Sequence, residues 1–292
     1  MRTLRYLAIV IASVIPYISL NAQTGAFLNV PEGAEELSMG GMNAIGDAAG
    51  LLDDTKLEAS VSYFKWAPKG TGDNIATFNL GYHLDKLAIF GKAGMDAAGS
   101  YQIYDESGAP GGIYKPMDYY VGVGAGYAIA PGLSVSVLAK LIGSNLAPEA
   151  KSTAFCADIN AAYKVKSLTI GLLASNIGTK LHGAPLPLMF RLGAENGFEF
   201  GEKFGLDLGL EAGYLAQGQR KAFIAAAGAD IRMFNMLSIR AGYHFSSDIN
   251  SEPSYISTGL GLDISKVSVS AACLIGSGPI SGTLCATLGL KF

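Results

Sequence analysis

Residues Phe204–Leu215 of the 292-residue chain read FGLDLGLEAGYL. Alternate positions carry two kinds of side chain. One face consists of Phe204, Leu206, Leu208, Leu210, Ala212 and Tyr214. The other consists of Gly205, Asp207, Gly209, Glu211 and Gly213. Because successive side chains of a strand point to opposite faces, the stretch predicts a strand with one face suited to lipid and one suited to a polar interior.

The same alternation recurs along the chain, for example in Met236–Phe245 and Gly282–Phe292. From Leu57 onward there are about fourteen segments of roughly ten residues, the length that a tilted strand needs to cross a bilayer. The sequence therefore predicts an all-β fold, a transmembrane antiparallel β-barrel of about 14 strands formed by residues 57–292, with both ends on the periplasmic side. A soluble β-sandwich also alternates, so alternation alone leaves that alternative open.

The lengths of the predicted connections separate these two folds better. Long links at Asp96–Met117 and Ile177–Pro185 alternate with tight turns such as His83–Lys86. Long loops at one end and short turns at the other are typical of outer-membrane barrels. The asymmetry weakens at Gly197–Lys203, which is longer than expected. Together with a terminal Phe292 that is similar to the C-terminal signature of outer-membrane barrels, the connections favour the barrel.

Composition and the N-terminus agree with an exported barrel. Hydrophobic residues make up 50% of the chain and charged residues 15%, and the mean hydropathy is +0.31. No long apolar run follows Leu20, which disfavours membrane-spanning helices. Residues 1–22 have the basic start, the apolar core (Leu7–Ile18) and the small residue Ala22 of a signal peptide; a membrane anchor is the alternative. Export of a barrel predicts a location in the cell outer membrane.

Residues 23–56 lie between the leader and the first predicted strand and lack strand alternation. Their central stretch, Phe27–Leu52, is rich in Gly, Ala and Met. Small residues allow backbones to approach closely, so this stretch is expected to fold compactly against a surrounding wall. We predict an N-terminal plug, or hatch, in the barrel lumen. The candidate plug residues are Met39, Gly40, Gly41 and Asp47.

Motifs for catalysis or cofactor binding are not evident. The three histidines stand outside known catalytic patterns, and the three cysteines lack metal-ligand spacing.

Cys273 and Cys285 are expected on opposite sides of their strands, so we predict no disulfide. The net charge of −3 and the scattered positive residues provide no basic surface for nucleic acid. The glycines of Gly122–Gly126 continue a strand, so we interpret them as room for the plug. The sequence predicts no enzyme, no cofactor and no metal.

Charged residues of both signs fall on the predicted inner face. The candidate lumen-facing polar residues are Asp158, Arg191, Glu195, Asp207, Glu211, Asp230, Arg232 and Arg240, with Lys140, Asn160 and His244 on the same face. They could line a charged conduit. Because both signs are present, we favour a mutually paired network that fills and stiffens the lumen against the plug.

The long link Asp96–Met117 mixes aromatic and charged residues, a composition typical of contact surfaces. Its candidate partner-contact residues are Tyr104, Asp105, Glu106, Tyr114 and Lys115. The alternative is a loop that folds over the mouth of the barrel as a lid.

Several short motifs carry a family resemblance. These are Phe27–Asn29 (FLN), Met39–Gly41 (MGG), Asp47–Ala49 (DAA), Phe155–Tyr163 and Ser175–Gly178 (SNIG). Together they resemble the PorV/PorQ family of Bacteroidetes outer-membrane proteins, relatives of the FadL-type barrels. The likeness extends over nearly all of the chain that follows the leader.

The resemblance implies a function in type IX secretion, as a docking or shuttle protein for the C-terminal signal domains of cargo. The implied partners are the lipid bilayer of the outer membrane, secretion-system components and cargo signal domains. FadL-like relatives imply the alternative of a transporter of hydrophobic small molecules past an N-terminal hatch. A structural scaffold for a partner protein is the second alternative. Since Gly50–Asp54 stands where members commonly have an Asn-Pro-Ala run, we favour the docking interpretation over hatch-controlled transport.

Overall fold

A computed structural model describes residues 24–50, 56–104, 108–248, 252–276 and 278–292. The predicted signal peptide, residues 1–22, lies outside this part of the chain. The strands are β1 (Leu57–Lys65), β2 (Asn74–Leu84), β3 (Leu87–Ala97), β4 (Tyr101–Tyr104), β5 (Pro110–Tyr114), β6 (Met117–Ala130), β7 (Leu133–Ala147), β8 (Ala150–Val165), β9 (Leu168–Gly178), β10 (Lys180–Leu181), β11 (Ala184–Pro185), β12 (Leu188–Phe200), β13 (Phe204–Gln217), β14 (Arg220–Met233), β15 (Leu237–Ser246), β16 (Tyr255–Ile264), β17 (Val267–Gly276) and β18 (Leu284–Lys291). A short 3₁₀ turn, Gly278–Ile280, precedes β18.

The barrel is closed, antiparallel and built from fourteen strands, as the alternation predicts. The order around it is β1-β2-β3-β6-β7-β8-β9-β12-β13-β14-β15-β16-β17-β18. The first and last strands pair at the seam, from Glu58 opposite Lys291 to Lys65 opposite Leu284. Closure leaves no unpaired strand edge, which an all-β chain in lipid requires. None of the helices formed by the described residues has the length and apolar character needed to cross a membrane.

The two faces of each barrel strand differ chemically. In β13, the side chain of Leu210 is 68% exposed on the outside, whereas the neighbouring Glu211 is 6% exposed on the inside. Val123 and Phe155 on other strands are also more than half exposed on the outer face. A soluble sandwich turns charge outward and apolar residues inward. The opposite arrangement here, on a closed barrel, excludes the sandwich and suits a lipid surround.

The two ends of the barrel also differ. One end, here called the terminal end, holds the start of β1 and the end of β18 and has only short turns, such as Asp85–Lys86 and Ser265–Lys266. Asp85 and Ser265 have φ angles of 53° and 58°, as tight hairpin turns require. The other end, the loop end, holds the longer connections. The prediction of a long link at Gly197–Lys203 is wrong, because β12 continues to Phe200 and leaves a turn of only three residues, 201–203.

The long link between β3 and β6 is not an unstructured loop but a small hairpin, β4–β5. The Tyr101 ring packs against Tyr114 at 5.8 Å between centroids, and the Tyr101 hydroxyl donates to the carbonyl of Leu146 at 2.9 Å. Tyr104 is 63% exposed and Ile113 is 75% exposed. Lys115 is exposed as well. The candidate contact residues Asp105 and Glu106 lie outside the described residues.

The glycines of β6 do not make room for the N-terminus, and that interpretation is wrong. A Cβ atom on Gly124 would collide with the ring of Phe90 on β3, and one on Gly122 would meet Leu138 on β7. These glycines accommodate side chains of the neighbouring strands. The free cysteines behave as expected from alternation, because Cys273 lies opposite Leu284 while Cys285 lies opposite Ala272.

Candidate functional site in the barrel lumen

The described residues 24–50, here called the N-terminal segment, lie against the inner wall of the barrel. They form a 3₁₀ turn (Ala26–Asn29), helix α1 (Ala34–Ser38) and helix α2 (Gly46–Gly50). Helix α1 packs on β15 to β18, and α2 packs on β6 to β9. The segment therefore crosses the lumen from one wall to the other. Residues 51–55 of the predicted plug lie outside the described residues.

A row of six inward-facing glycines on consecutive strands faces the N-terminal segment. This glycine belt consists of Gly171, Gly193, Gly209, Gly228, Gly242 and Gly259. A Cβ atom on any of them would come within 3.0 Å of an atom of residues 38–45. Real Cβ atoms do not tolerate such contacts, so the backbone of the segment can lie here only because the wall lacks side chains. The glycine belt therefore forms a shallow depression in the wall, and the segment lies in it.

A buried ion pair clamps the middle of the segment. Arg191 Nη1 donates to Glu211 Oε1 at 2.7 Å and to the carbonyl of Gly41 at 2.9 Å. The second carboxylate oxygen of Glu211 accepts the backbone N–H groups of Asn43 and Ala44 at 2.8 and 2.7 Å. Both charged side chains are almost fully buried. The two charges therefore neutralise each other, and together they bond three backbone groups of the segment. Buried charges need such partners.

Lys92 on β3 holds two separate parts of the segment. Its ammonium group lies 2.6 Å from Glu32 Oε2 and 2.7 Å from Asp47 Oδ1. The hydroxyl of Thr77 also donates to the carbonyl of Glu32 at 2.5 Å. Asp47, a candidate plug residue, is therefore fixed to the wall by an ion pair. Lys92 was not among the predicted lumen residues, although its alternation with Phe90 places it on the inner face.

The other candidate plug residues, Met39, Gly40 and Gly41, form a turn. Gly40 and Gly41 have φ angles of 82° and 72°, which favour glycine. The N–H of Gly40 donates to Ser257 Oγ at 3.1 Å, and its carbonyl lies 3.1 Å from Nδ1 of His244. The hydroxyl of Tyr255 occupies the space where a Cβ of Gly41 would stand. Met39 itself is buried against the wall at Gly228.

Two further wall residues bond the segment at or beside its two helices. Asn160 donates from Nδ2 to the carbonyl of Ala44 and accepts the N–H of Ala48 at Oδ1, both at 2.8 Å. Thr287 accepts the N–H of Ala34 at 2.8 Å and donates to Ser62 Oγ at 2.9 Å. Thr287 belongs to β18 and Ser62 to β1. The segment is therefore bonded to the seam where the first and last strands meet.

The remaining predicted lumen residues lie on the inner face, and most are paired. Lys140 contacts Asp158 at 2.7 Å, Arg240 contacts Asp230 at 2.8 Å, and Arg232 contacts Asp207 at 2.8 Å. Arg232 also contacts Glu199 near the terminal end, where its side chain is 38% exposed. Glu195 lines the central cavity described next. These ion pairs resemble a mutually paired network more than a row of unpaired charges.

A cavity of about 470 Å³, here called the central cavity, separates the segment from part of the wall. Apolar side chains of the segment line one side, including Phe27, Val30 and Met42, and Leu138 and Leu173 line the wall. Carboxylates also reach it, among them Glu36, Glu58, Glu195 and Asp230. The cavity therefore combines an apolar surface with an excess of acidic groups. Nowhere in the described ranges do His, Cys, Asp and Glu side chains cluster in a way that could hold a metal ion.

Glu36 on α1 faces this cavity, and the pKa of its carboxyl group is raised. Burial raises its pKa to about 8, and the neighbouring charge of Glu32 adds to the rise. Its carboxylate accepts the backbone N–H of Glu32 at 2.8 Å. Burial also raises the pKa of Glu32, although Lys92 acts in the opposite direction. Glu36 therefore holds its proton more strongly in the docked segment than a free glutamic acid does.

We expect Gly242→Ala to loosen the N-terminal segment. The new methyl group would meet the backbone of Met39 and Gly40, which cannot move as a flexible side chain can. Overpacking of this kind costs ~1–3 kcal/mol. Protease cleavage within residues 24–50 and ion conductance in planar bilayers should both rise. The control is Gly91→Ala, whose Cβ would have no neighbour closer than 3.8 Å. Equal behaviour of the two variants would contradict the glycine belt.

We expect docking of α1 to weaken as pH rises through the pKa of Glu36. A carboxyl group that holds its proton more strongly when docked stabilises the docked state below about pH 4.5, and this contribution is lost as pH rises through about 8. Hydrogen exchange of the α1 amides, corrected for intrinsic rates, should show less protection at pH 9 than at pH 6. Glu36→Gln should remove the difference, while Glu35→Gln, with an exposed side chain, should keep it. A pH-independent wild type would refute the expectation.

Comparison of the chain with protein-family models gave no match, and none of the curated proteins matches it significantly. Solved structures do match. The toluene transporter TbuX of Ralstonia pickettii is 11% identical, with a TM-score of 0.59 over 91% of this chain and 99% of that one. The CymD monoaromatic hydrocarbon channel is 12% identical, with a TM-score of 0.61 over 90% and 98%.

The toluene transporter TodX of Pseudomonas putida is 11% identical, with a TM-score of 0.57 over 89% of this chain and 96% of that one. At these identities the likeness concerns the fold. The match covers nearly the full length of each of the three solved chains. The chain therefore has the barrel fold that these three solved structures share.

Proposed function

We propose that the chain is an outer-membrane barrel that passes small, partly apolar molecules through its lumen, with the N-terminal segment as an internal gate. The observation that carries this proposal is the central cavity of about 470 Å³ between the segment and the wall. Ligand sites of this size are concave, mostly formed in advance, and combine apolar walls with a few polar groups. The names of the similar structures, toluene transporter and monoaromatic hydrocarbon channel, support the same class of function.

The attachment of the segment suits a gate. Its contacts with the wall at Arg191, Glu211, Lys92 and Asn160 are hydrogen bonds and ion pairs. Polar contacts of this kind can be exchanged for contacts with water or with a ligand when the segment shifts. The paired lumen residues then serve to hold the gate in place. The apolar outer face of the barrel and the expected leader support placement in the outer membrane.

A matched pair of substitutions on β9 tests passage. Leu173 lines the central cavity, while Leu172 is 56% exposed on the outer face. We expect Leu173→Trp to fill the cavity and to reduce several-fold the uptake of toluene into outer-membrane vesicles, whose lipopolysaccharide leaflet slows direct passage through the lipid. Leu172→Trp adds the same ring on the lipid side and should leave uptake unchanged. Wild-type uptake no faster than that of vesicles from a deletion strain would refute passage.

Docking of secretion cargo remains a second candidate because the β4–β5 hairpin presents apolar and aromatic side chains to solvent. Ile113 and Tyr104 are the most exposed of these, at 75% and 63%. Replacement of both by Ser should leave the barrel inserted but abolish recovery of secretion components or cargo signal domains with the protein from native membranes. A wild-type preparation without any such component would remove this candidate and leave the gate proposal unaffected.

A further inference from the structure

A second, smaller cavity of about 180 Å³ lies at the loop end of the barrel, between the start of the N-terminal segment and the wall. We call it the loop-end cavity. Most of its lining residues do not line the central cavity, among them Trp66, Asp73, Glu252 and Tyr255. Its volume is close to the roughly 150 Å³ of an engineered cavity that takes up benzene. One aromatic ring with a short substituent therefore fits.

The loop-end cavity has carboxylate oxygens that lack partners. Asp73 is only 9% exposed, and its Oδ2 accepts the hydroxyl of Thr71, but its Oδ1 is buried without a hydrogen-bond partner. Asp96 Oδ1 and Glu252 Oε2 are likewise buried without a partner. All three side chains line the cavity. A buried unsatisfied carboxylate oxygen is costly, so this arrangement calls for a donor or a positive charge inside the cavity.

The protein does not supply that charge from the described residues. Arg191 is the one cationic side chain among those that line the cavity, and its guanidinium is bonded to Glu211 and to the carbonyl of Gly41. His244 lies 3.7 Å from the other oxygen of Glu252, which leaves Oε2 free. Glu252 still feels the charge of Arg191, whereas Asp73 and Asp96 face the cavity without an ion pair among the described residues.

The apolar part of the lining is aromatic. Phe27, Trp66 and Tyr255 contribute rings to the cavity, and Tyr255 is held in place by the stacked ring of His244 at 4.8 Å between centroids. Aromatic faces attract cations, and the attraction is larger when the site is removed from water. Aromatic rings combined with unpaired carboxylates are the chemistry that recognises an organic ammonium ion.

We propose that the loop-end cavity binds a small organic cation, a primary ammonium group on an aromatic or short alkyl body, with the ammonium at Asp73 and Asp96 and the body against Trp66 and Tyr255. The site goes beyond the proposed passage of small molecules, because binding here does not require that the ligand cross the lumen. It also differs from a neutral hydrocarbon site, in which the carboxylates would stay unpaired.

Four probes of nearly equal size test the proposal: benzylammonium, benzyl alcohol, toluene and benzoate. Trp66 is the single tryptophan of the chain and lines the cavity, so its fluorescence reports occupancy directly. The full-length protein in lipid nanodiscs is titrated with each probe, and empty nanodiscs are subtracted. Benzylammonium should bind with 1:1 stoichiometry and at least ~10-fold more tightly than the other three, a difference of ~1.4 kcal/mol.

Variants locate the site. Asp73→Asn and Asp96→Asn keep the shape of the side chain and remove the charge, and each should weaken benzylammonium binding ~10-fold or more without strengthening toluene binding. Glu149→Gln, at an exposed loop-end position outside the cavity, should leave it unchanged. Calorimetry of Trp66→Leu, which lacks the fluorophore, should show weaker binding as well.

Two results would overturn the proposal without any variant. Toluene or benzyl alcohol binding as tightly as benzylammonium would identify an apolar site, and no response to any probe would mean that the cavity holds only water. The outcome is independent of the vesicle uptake test, because toluene passage with no ammonium binding would support the gate and refute this site.

Discussion

The arrangement of the lumen depends on one steric constraint: the backbone of the N-terminal segment touches the wall. The backbone of the segment can approach the wall this closely only where the wall carries no side chains. The glycine belt provides this room over six neighbouring strands, from Gly171 to Gly259. Once the backbone is this close, its N–H and C=O groups lose water and need partners in the wall. The inward side chains of Arg191, Glu211 and Asn160 are those partners.

This constraint also explains why the lumen is charged and yet mostly neutralised. Buried backbone groups are satisfied best by side chains that are themselves ionised, because charge-assisted hydrogen bonds are the stronger ones. Each such side chain then needs a counter-charge, which Arg191 finds in Glu211 and Lys92 finds in Glu32 and Asp47. Where the segment withdraws from the wall, the pairing is incomplete, and both cavities inherit unpaired carboxylates. The acidic character of the cavities thus follows from how the segment is held.

Alternation of side chains predicted the strands, their number and the inner face on which Asp158, Arg191, Glu211 and Arg240 lie, and the lengths of the connections favoured a barrel over a sandwich. It could not predict the pairs, because Arg191 and Glu211 belong to different strands and meet only through the register of β12 and β13. The glycine belt escaped prediction for the same reason, since its members are spread over six strands. The glycines of β6 misled because side chains of the neighbouring strands fill the space beside them, Phe90 of β3 at Gly124 and Leu138 of β7 at Gly122. Some glycines make room for a side chain of a neighbouring strand and others for the N-terminal segment. The sequence of a single strand cannot distinguish the two, because the difference depends on the side chains of other strands.

The bond from Ala34 to Thr287 has a consequence for the order of assembly. Its two residues are separated by 253 positions, and Thr287 in turn bonds Ser62 across the seam. Contacts between residues so distant in sequence form late, because the intervening chain must first be organised. The segment is made first, but the series of bonds from Ala34 through Thr287 to Ser62 can be completed only after the last strand has paired with the first. This series of bonds is therefore a mark of the closed barrel, whereas the contacts of the segment with Lys92, Arg191 and Glu211 do not depend on the seam.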